Sequence, residues 1–169
     1  MYGLTKLSYT MPTNLKVERT TDQKLIASVL SDPQFYEVAL PDEEIAAIED
    51  GRVDEIISTS HWLTLSDDKK LYGLTRVDYM TSVTSSVHGY LKPKYWGTSI
   101  SAQFAPLVET WFRENTNIHK LVALSPKCCT HVLQSVARMG YEIEGLLVGA
   151  IYWRGKIEDL VILSKFIGK

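Results

Sequence analysis

The stretch Leu91-Lys92-Pro93-Lys94-Tyr95-Trp96-Gly97-Thr98-Ser99 decides how the rest of the sequence is interpreted. It follows a strand-like run at residues 82–91 and leads into residues 100–114, where apolar side chains recur at helical spacing. A small-residue turn between a strand and a helix leaves backbone N–H groups free at the positive end of the helix dipole. The stretch therefore predicts a phosphate-binding turn. A plain connection between two elements is the alternative interpretation.

The hydrophobic pattern on both sides of this turn predicts a mixed α/β (α+β) fold. Before the turn, alternating residues 15–19 predict a strand, two helical regions follow, and Gly51 divides the second. After the turn come a buried strand, a helix opened by Ser125 and Pro126, and two final strands. A strand–helix–strand crossover joins parallel neighbours. We therefore expect a mostly antiparallel sheet with one parallel pair. The predicted strands are residues 15–19, 61–65, 71–79, 82–91, 120–124, 141–151 and 156–166.

The amino-acid composition of the chain limits the classes of function that we expect of it. The chain has 169 residues, 45% of them hydrophobic, which is enough for one domain with a full core. The formal net charge of -2 shows no basic excess, so no nucleic-acid partner is expected. Cys128 and Cys129 are adjacent and too close for ordinary disulfide geometry. With no zinc spacing, signal peptide or membrane span in the sequence, we expect a cytoplasmic protein without a metal site or membrane partner.

Three stretches resemble the GNAT superfamily of N-acetyltransferases, in particular its ribosomal-protein N-terminal acetyltransferase branch. The first is the quoted turn, and the second is Arg138-Met139-Gly140-Tyr141. The third is Glu142-Ile143-Glu144-Gly145, followed by a hairpin through Arg154-Gly155. The resemblance implies one GNAT-like domain over residues 1–169. Residues 88–169 would form its acyl-CoA-binding half and residues 1–87 its variable acceptor-side half.

The resemblance also implies a reaction and its binding residues. Acetyl-CoA would be the co-substrate, and the acceptor a primary amine on a protein N-terminus or a small molecule. The fourth and fifth strands would splay, with the pantetheine arm between them, flanked by Tyr90 and Leu91. Tyr95 and Trp96 are candidates to wall the pantetheine or adenine, or else they pack in the protein. The implied diphosphate cradle is the backbone of Gly97, Thr98, Ser99 and Ile100.

The positions that usually carry catalysis depart from the family pattern. Cys129 stands where an asparagine usually opens the fourth helix, and valines occupy the proton-donor positions, at Val132 and Val136. Three replacements are candidates. His88 on the fourth strand is a candidate base. Either Cys129 or Ser135 is a candidate proton donor. Each candidate also has an alternative role without catalysis. His88 would be a solvated histidine on the strand, Cys129 a small buried residue that fills space, and Ser135 a serine on the helix surface.

These departures leave a second function open. A GNAT-like fold without catalysis would serve as a binding or assembly module with a protein partner, for example as an accessory or virion-associated protein. Val132 and Val136 favour that reading, whereas the intact Pro93-Lys94-Tyr95-Trp96-Gly97 stretch favours the enzyme.

Overall fold

A computed structural model describes residues 14–168, which form a seven-stranded sheet with helices on both faces. The strand order is β1-β2-β3-β4-β5-β7-β6. The strands are β1 Lys16–Thr20, β2 His61–Ser66, β3 Leu71–Tyr79, β4 Thr84–Leu91, β5 Lys120–Pro126, β6 Glu142–Trp153 and β7 Lys156–Phe166. The helices are α1 Gln23–Leu30, α2 Pro33–Ala39, α3 Asp42–Glu49, α4 Val53–Ser58, α5 Ile100–Asn115 and α6 Thr130–Arg138, with a 3₁₀ turn at Pro93–Tyr95.

The centre of the sheet confirms the predicted mixed topology. Strands β4 and β5 are parallel, and every other neighbouring pair in the sheet is antiparallel. The parallel pairing covers only three residue pairs and ends at Ser86 and Val122. Beyond these residues β4 continues along β3, while β5 continues along β7. The strands therefore part toward their C-terminal ends, as expected.

The two faces of the sheet are covered by different helices. Side chains alternate along β4, so that Tyr90 and Leu91 point to opposite faces. Tyr90 packs with the helices α1 to α4, in a cluster that includes Phe35 and Trp62. Leu91 packs instead with the buried side chains of α5, among them Phe104. The strand that leads into the candidate turn is thus held from both sides.

Two local expectations were wrong. Residues 33–39 form the additional helix α2, because Pro33 occupies its first turn and the Asp32 carboxylate accepts a hydrogen bond from the Gln34 N–H. Seven residues are too few for a clear hydrophobic period. Residues Ser125 and Pro126 do not open α6. They stay in β5, opposite Val161 and Leu160 of β7, so sheet pairing extends the strand and delays the helix to Thr130.

Candidate functional site

A groove of about 410 Å³ lies between α5 and α6, beside the turn that the sequence singled out. This volume is within the roughly 300–1,000 Å³ typical of small-molecule sites. Thr98 and Ser99 contribute from the turn, and Ser135 contributes from α6. The remaining lining residues are Ser101, Ala102, Ala105, Pro106, Glu109, Arg138, Met139 and Lys165. The groove therefore brings the predicted phosphate turn together with one of the three catalytic candidates.

The N-terminus of α5 presents free backbone donors to this groove. Gly97 has a left-handed φ of 71°, and no atom lies within 4 Å of where a Cβ would stand. Ser99 occupies the N-cap position without a side-chain cap. Within residues 14–168, the N–H groups of Ser101 and Ala102 donate no hydrogen bond. Such a helix end favours a bound anion.

The other residues predicted to bind a cofactor are divided between the surface and the core. The Thr98 hydroxyl donates to the carbonyl of Tyr95 at 2.6 Å and so tightens the turn. The indole of Trp96 is 41% exposed and donates to the carbonyl of Leu91 at 2.9 Å. The ring of Tyr95 is buried with its centroid 4.7 Å from that of Tyr72, which favours the alternative role, packing within the protein. The Ile100 side chain is also fully buried, so only its backbone faces the turn.

The basic groups of the groove differ in how they are neutralised. Lys165 Nζ donates to Glu109 Oε1 at 2.6 Å and to the carbonyl of Met139 at 2.8 Å. Glu109 is buried and also pairs with Arg113 at 3.2 Å. Arg138, in contrast, makes no ion pair or hydrogen bond through its guanidinium to any described residue. Sequence reasoning missed Arg138, although its position three residues after Ser135 places both on one helical face.

A second polar cluster lies on the other face of the sheet, under α3. The guanidinium of Arg76 is its centre: Nη1 donates to Glu44 Oε1 at 2.6 Å and Nε lies 3.0 Å from Asp78 Oδ2. Nε also donates to the hydroxyl of Ser60 at 2.7 Å. The second carboxylate oxygen of Glu44 is buried and has no hydrogen-bond partner within the described chain. This cluster was not predicted, because its members are far apart in sequence.

His88 belongs to this second cluster rather than to the groove. It stands opposite Arg76 in the β3–β4 register, and its ring stacks on Tyr90 with centroids 6.5 Å apart. Its Nε2 lies 3.4 Å from the hydroxyl of Ser86. Burial, reinforced by the positive charge of Arg76, lowers the pKa of His88 to about 4. The imidazole is therefore neutral at physiological pH.

Cys129 stands at the N-cap of α6, next to the exposed Cys128. Burial, together with the neighbouring Cys128 thiol, raises the pKa of Cys129 to about 11. A helix N-terminus by itself favours the thiolate. Desolvation outweighs that effect, and the thiol stays protonated at neutral pH. The three catalytic candidates thus occupy three environments: Ser135 the groove, His88 the cluster around Arg76, and Cys129 the β5–α6 connection.

The N-terminal part of the chain is tied to the terminal hairpin by one aspartate. Asp42 accepts hydrogen bonds from the N–H groups of Arg154, at 2.8 Å, and Gly155, at 2.7 Å. The Arg154 guanidinium also donates to the carbonyl of Leu40 at 3.0 Å. These backbone hydrogen bonds hold the pKa of Asp42 below its usual range. The turn between β6 and β7 is therefore fixed against the start of α3.

Residues 14–168 contain neither a metal-ligand cluster nor a long apolar helix. No group of three or more histidine, cysteine or acidic side chains could hold a metal ion there. In the same part of the chain, no helix has the length and apolar character to cross a membrane.

The fold is that of N-acetyltransferases of known structure. A protein assigned as a phosphinothricin N-acetyltransferase is similar with a TM-score of 0.72 and 16% identity, over 92% of this chain and 100% of that chain. The spermidine N-acetyltransferase of Vibrio cholerae, solved with CoA and spermine, gives a TM-score of 0.69 and 12% identity, over 92% and 96% of the two chains. Neither a protein-family model nor a curated protein sequence matches the chain. At these identities the likeness shows the GNAT fold, and it does not confirm the ribosomal-protein branch.

Proposed function

We propose that this protein transfers an acetyl group from acetyl-CoA to a primary amine. The observation that carries the proposal is the α5 N-terminus, where Gly97 and free backbone donors lie beside the groove between α5 and α6. A diphosphate needs such a cluster of N–H donors. The similar N-acetyltransferases, one of them solved with CoA, support this choice of co-substrate.

The residues around the groove fit a CoA-like ligand. The free N–H groups of Ser101 and Ala102 would hold the diphosphate together with the backbone of Gly97 and Ser99. The expected share of Thr98 and Ile100 is smaller, because their N–H groups already donate to the Tyr95 carbonyl and to the Thr98 hydroxyl. The free guanidinium of Arg138 would pair with a phosphate, since guanidinium groups bind phosphate oxygens through paired hydrogen bonds. From Val87 onward the β4 edge toward β5 has no strand partner within the described chain, so it is available to the amide groups of an extended arm. In this arrangement Tyr90 and Leu91 flank the arm through their backbone, and Trp96 walls it.

The chemistry assigns limited roles to the three catalytic candidates. Acetyl-CoA supplies an activated thioester carbon, which the amine attacks; the C–S bond then breaks and the amine loses a proton. His88, with a pKa of about 4, is a weak base, so it would orient the amine as a hydrogen-bond acceptor. The protonated thiol of Cys129 is the candidate donor to the departing thiolate. Ser135 shares the groove with the phosphate turn and would bind rather than donate a proton.

The acceptor is either a small amine or a protein N-terminus. The similar structures carry the names of phosphinothricin and spermidine N-acetyltransferases, which supports a small amine. The carboxylates of Glu44 and Asp78 near His88 would attract a cationic amine. A protein N-terminus, expected from the ribosomal-protein branch, is the second acceptor to be tested.

Calorimetry with acetyl-CoA and with free CoA tests the binding half of the proposal. We expect binding of both, and at least tenfold weaker binding by Arg138→Gln. Arg19→Gln is the matched control, because Arg19 is an exposed arginine outside the groove. No binding at millimolar ligand would overturn the proposal.

A thiol-release assay with small amines and N-terminal peptides tests the chemistry. Because His88 stays neutral, the rate should rise with pH as the acceptor deprotonates, without an inflection near pH 6.5. We expect Cys129→Ala to lower the rate at least tenfold, and toward the roughly 10²-fold that a positioned acid contributes. Binding without turnover across the whole panel would favour the binding module instead.

A further inference from the structure

A cluster of charged side chains forms part of the wall of the groove between α5 and α6. The Glu109 carboxylate is buried, and both of its oxygens are paired. Oε1 accepts a hydrogen bond from Lys165 Nζ on β7 at 2.6 Å, and Oε2 accepts one from the Arg113 guanidinium at 3.2 Å. Arg113 Nε also donates to the carbonyl of Ile167 at 2.7 Å. The cluster therefore joins α5 to β7 and to the chain that follows β7.

Lys165 extends this cluster to α6. Its ammonium group also donates to the carbonyl of Met139 at 2.8 Å, and Met139 is the C-cap of α6. The last carbonyls of a helix have no partner within it, and the helix dipole favours a cation beside them. A Cβ on Gly140 would stand 3.4 Å from both Cε and Nζ of Lys165, so the lysine packs directly against the residue after the cap. One side chain thus connects α5, α6 and β7.

Helix α6 is not anchored by buried side chains of its own. None of the residues Thr130–Arg138 that form it is buried. A hydrogen bond with a charged partner contributes roughly 1.5–3 kcal/mol, against about 1 kcal/mol for one between neutral groups. The contact from Lys165 to the Met139 carbonyl is therefore a strong restraint on the C-terminal end of α6.

The restraint acts on the position of Arg138, which directly precedes Met139 and lines the groove. No partner in the described chain orients the Arg138 guanidinium, so its place depends on the backbone at the end of α6. Lys165 is held differently, because two of its three ammonium donors are already used. Turning it toward a ligand would leave the buried Glu109 charge incompletely paired, which is costly. Arg138 is thus free to bind a phosphate, and Lys165 is not.

We infer that Lys165 and Glu109 are positioning residues that hold the end of α6 so that the Arg138 guanidinium is preorganised for a phosphate of the ligand. Glu109 fixes Lys165, Lys165 fixes the Met139 carbonyl, and neither side chain touches the ligand. Such preorganisation raises affinity because less conformational freedom is lost on binding. The inference rests on the proposed CoA site in this groove and adds the residues that shape it.

A double-mutant cycle, measured by calorimetric titration with CoA, tests this role. Lys165→Met removes both hydrogen bonds and should weaken binding about fivefold, within the range of coupling between neighbouring residues. Combined with Arg138→Gln, it should weaken binding no further, because the lysine acts through the arginine. Equal weakening with and without Arg138 would make Lys165 a direct ligand and overturn the inference, as would unchanged binding by Lys165→Met.

Lys120→Met is the matched control for the loss of a paired lysine. Lys120 binds Glu144 at 2.7 Å, and its side chain is 24% exposed, against 26% for Lys165. Lys120 does not line the groove. The control variant should therefore bind CoA with the wild-type affinity.

A second variant separates positioning from a loss of stability. Glu109→Gln combined with Lys165→Met removes both charges, so no buried charge is left without its partner, yet the contact to Met139 is still missing. We expect the same loss of affinity as for Lys165→Met alone. A wild-type affinity of this folded double variant would overturn the inference.

Amide hydrogen exchange reports the restraint on α6 without any ligand. The N–H groups of Met139 and Gly140 close the last turn of the helix, and they should exchange faster in both Lys165 variants than in Lys120→Met. Wild-type exchange at these amides would contradict the anchoring of α6 by Lys165. A wild-type chain that does not bind CoA would overturn the proposed function together with this inference. Normal CoA binding by Lys165→Met would overturn the inference alone.

Discussion

The helices α1 to α4 and the helix α6 lie against the same sheet but are packed very differently. The first group contributes fully buried side chains, including Leu30, Phe35 and Ile26. Helix α6 has no buried residue, and Val132 on its apolar side is 37% exposed. The helices α1 to α4 therefore form a closed core with the sheet. Helix α6 and the terminal hairpin, in contrast, leave apolar side chains exposed.

The largest expected effect lies where the two halves meet, at the β3–β4 pair. A Cβ on Gly73 would stand 2.1 Å from the carbonyl oxygen of Tyr90 and 2.9 Å from the Cα of Leu91. Backbone atoms cannot move aside without separating the strands. We therefore expect Gly73→Ala to remove the cooperative unfolding transition, beyond the roughly 1–3 kcal/mol usual for overpacking.

Gly89→Ala is the control for that variant, because Gly89 lies on the same strand pair and a Cβ there meets nothing within 4 Å. It should unfold at or above the wild-type temperature. Calorimetric scans of both variants give the comparison. Equal unfolding temperatures would show that the close approach at Gly73 does not hold the halves together.

A second comparison concerns the stability lost when a leucine is truncated in the buried face of α1 and in the exposed helix α6. Leu30 is fully buried, so Leu30→Ala should lower the free energy of unfolding by about 3 kcal/mol. Leu133 is only half-buried, and Leu133→Ala should cost about 1 kcal/mol or less. Urea titrations of both variants measure the difference. A cost for Leu133→Ala as large as for Leu30→Ala would mean that α6 is part of the closed core.

The features that the sequence predicted are local ones, whereas the features that it did not predict depend on tertiary packing. The turn at residues 91–99 and the parallel pair around it follow from local chemistry and hydrophobic period, and both are found. The cluster of Glu44, Arg76 and Asp78 depends on the strand register and on how α3 packs, which no local pattern encodes. Likewise, burial in the folded chain and the neighbouring Cys128 thiol raise the pKa of Cys129 above its usual value.

The titration of His88 tests how well the cluster around Arg76 is shielded from water. Its pKa is about 4 when folded and near 6.5 when unfolded, so the unfolded chain binds the extra proton first. The stability contributed by the neutral imidazole is complete above pH 6.5 and is lost as the pH falls to 4. Because the ring is only half-buried, we expect a loss of at most about 3 kcal/mol.

His88→Gln removes this titration while keeping a polar side chain. Its unfolding free energy should fall less than that of the wild type between pH 7 and pH 4. Urea titrations at the two pH values measure the difference between the slopes. Parallel losses in both proteins would mean that the imidazole is solvated when folded and that the cluster is open to water.

The smallest expected effect separates the ligand turn from an ordinary turn of the same shape. Gly97 and Gly51 both have a left-handed φ, 71° and 74°, and a Cβ at either meets nothing within 4 Å. Valine at either position should cost a similar 1–2 kcal/mol, roughly, of stability, because the left-handed conformation is strained for it. Only Gly97→Val places a branched side chain at the α5 donors, so only that variant should weaken CoA binding at least tenfold, or about 1.4 kcal/mol. Calorimetry on the two folded variants compares their affinities for CoA, and their similar stabilities make that comparison fair. Equal affinities would leave Gly97 a structural turn and would move the diphosphate away from the α5 N-terminus.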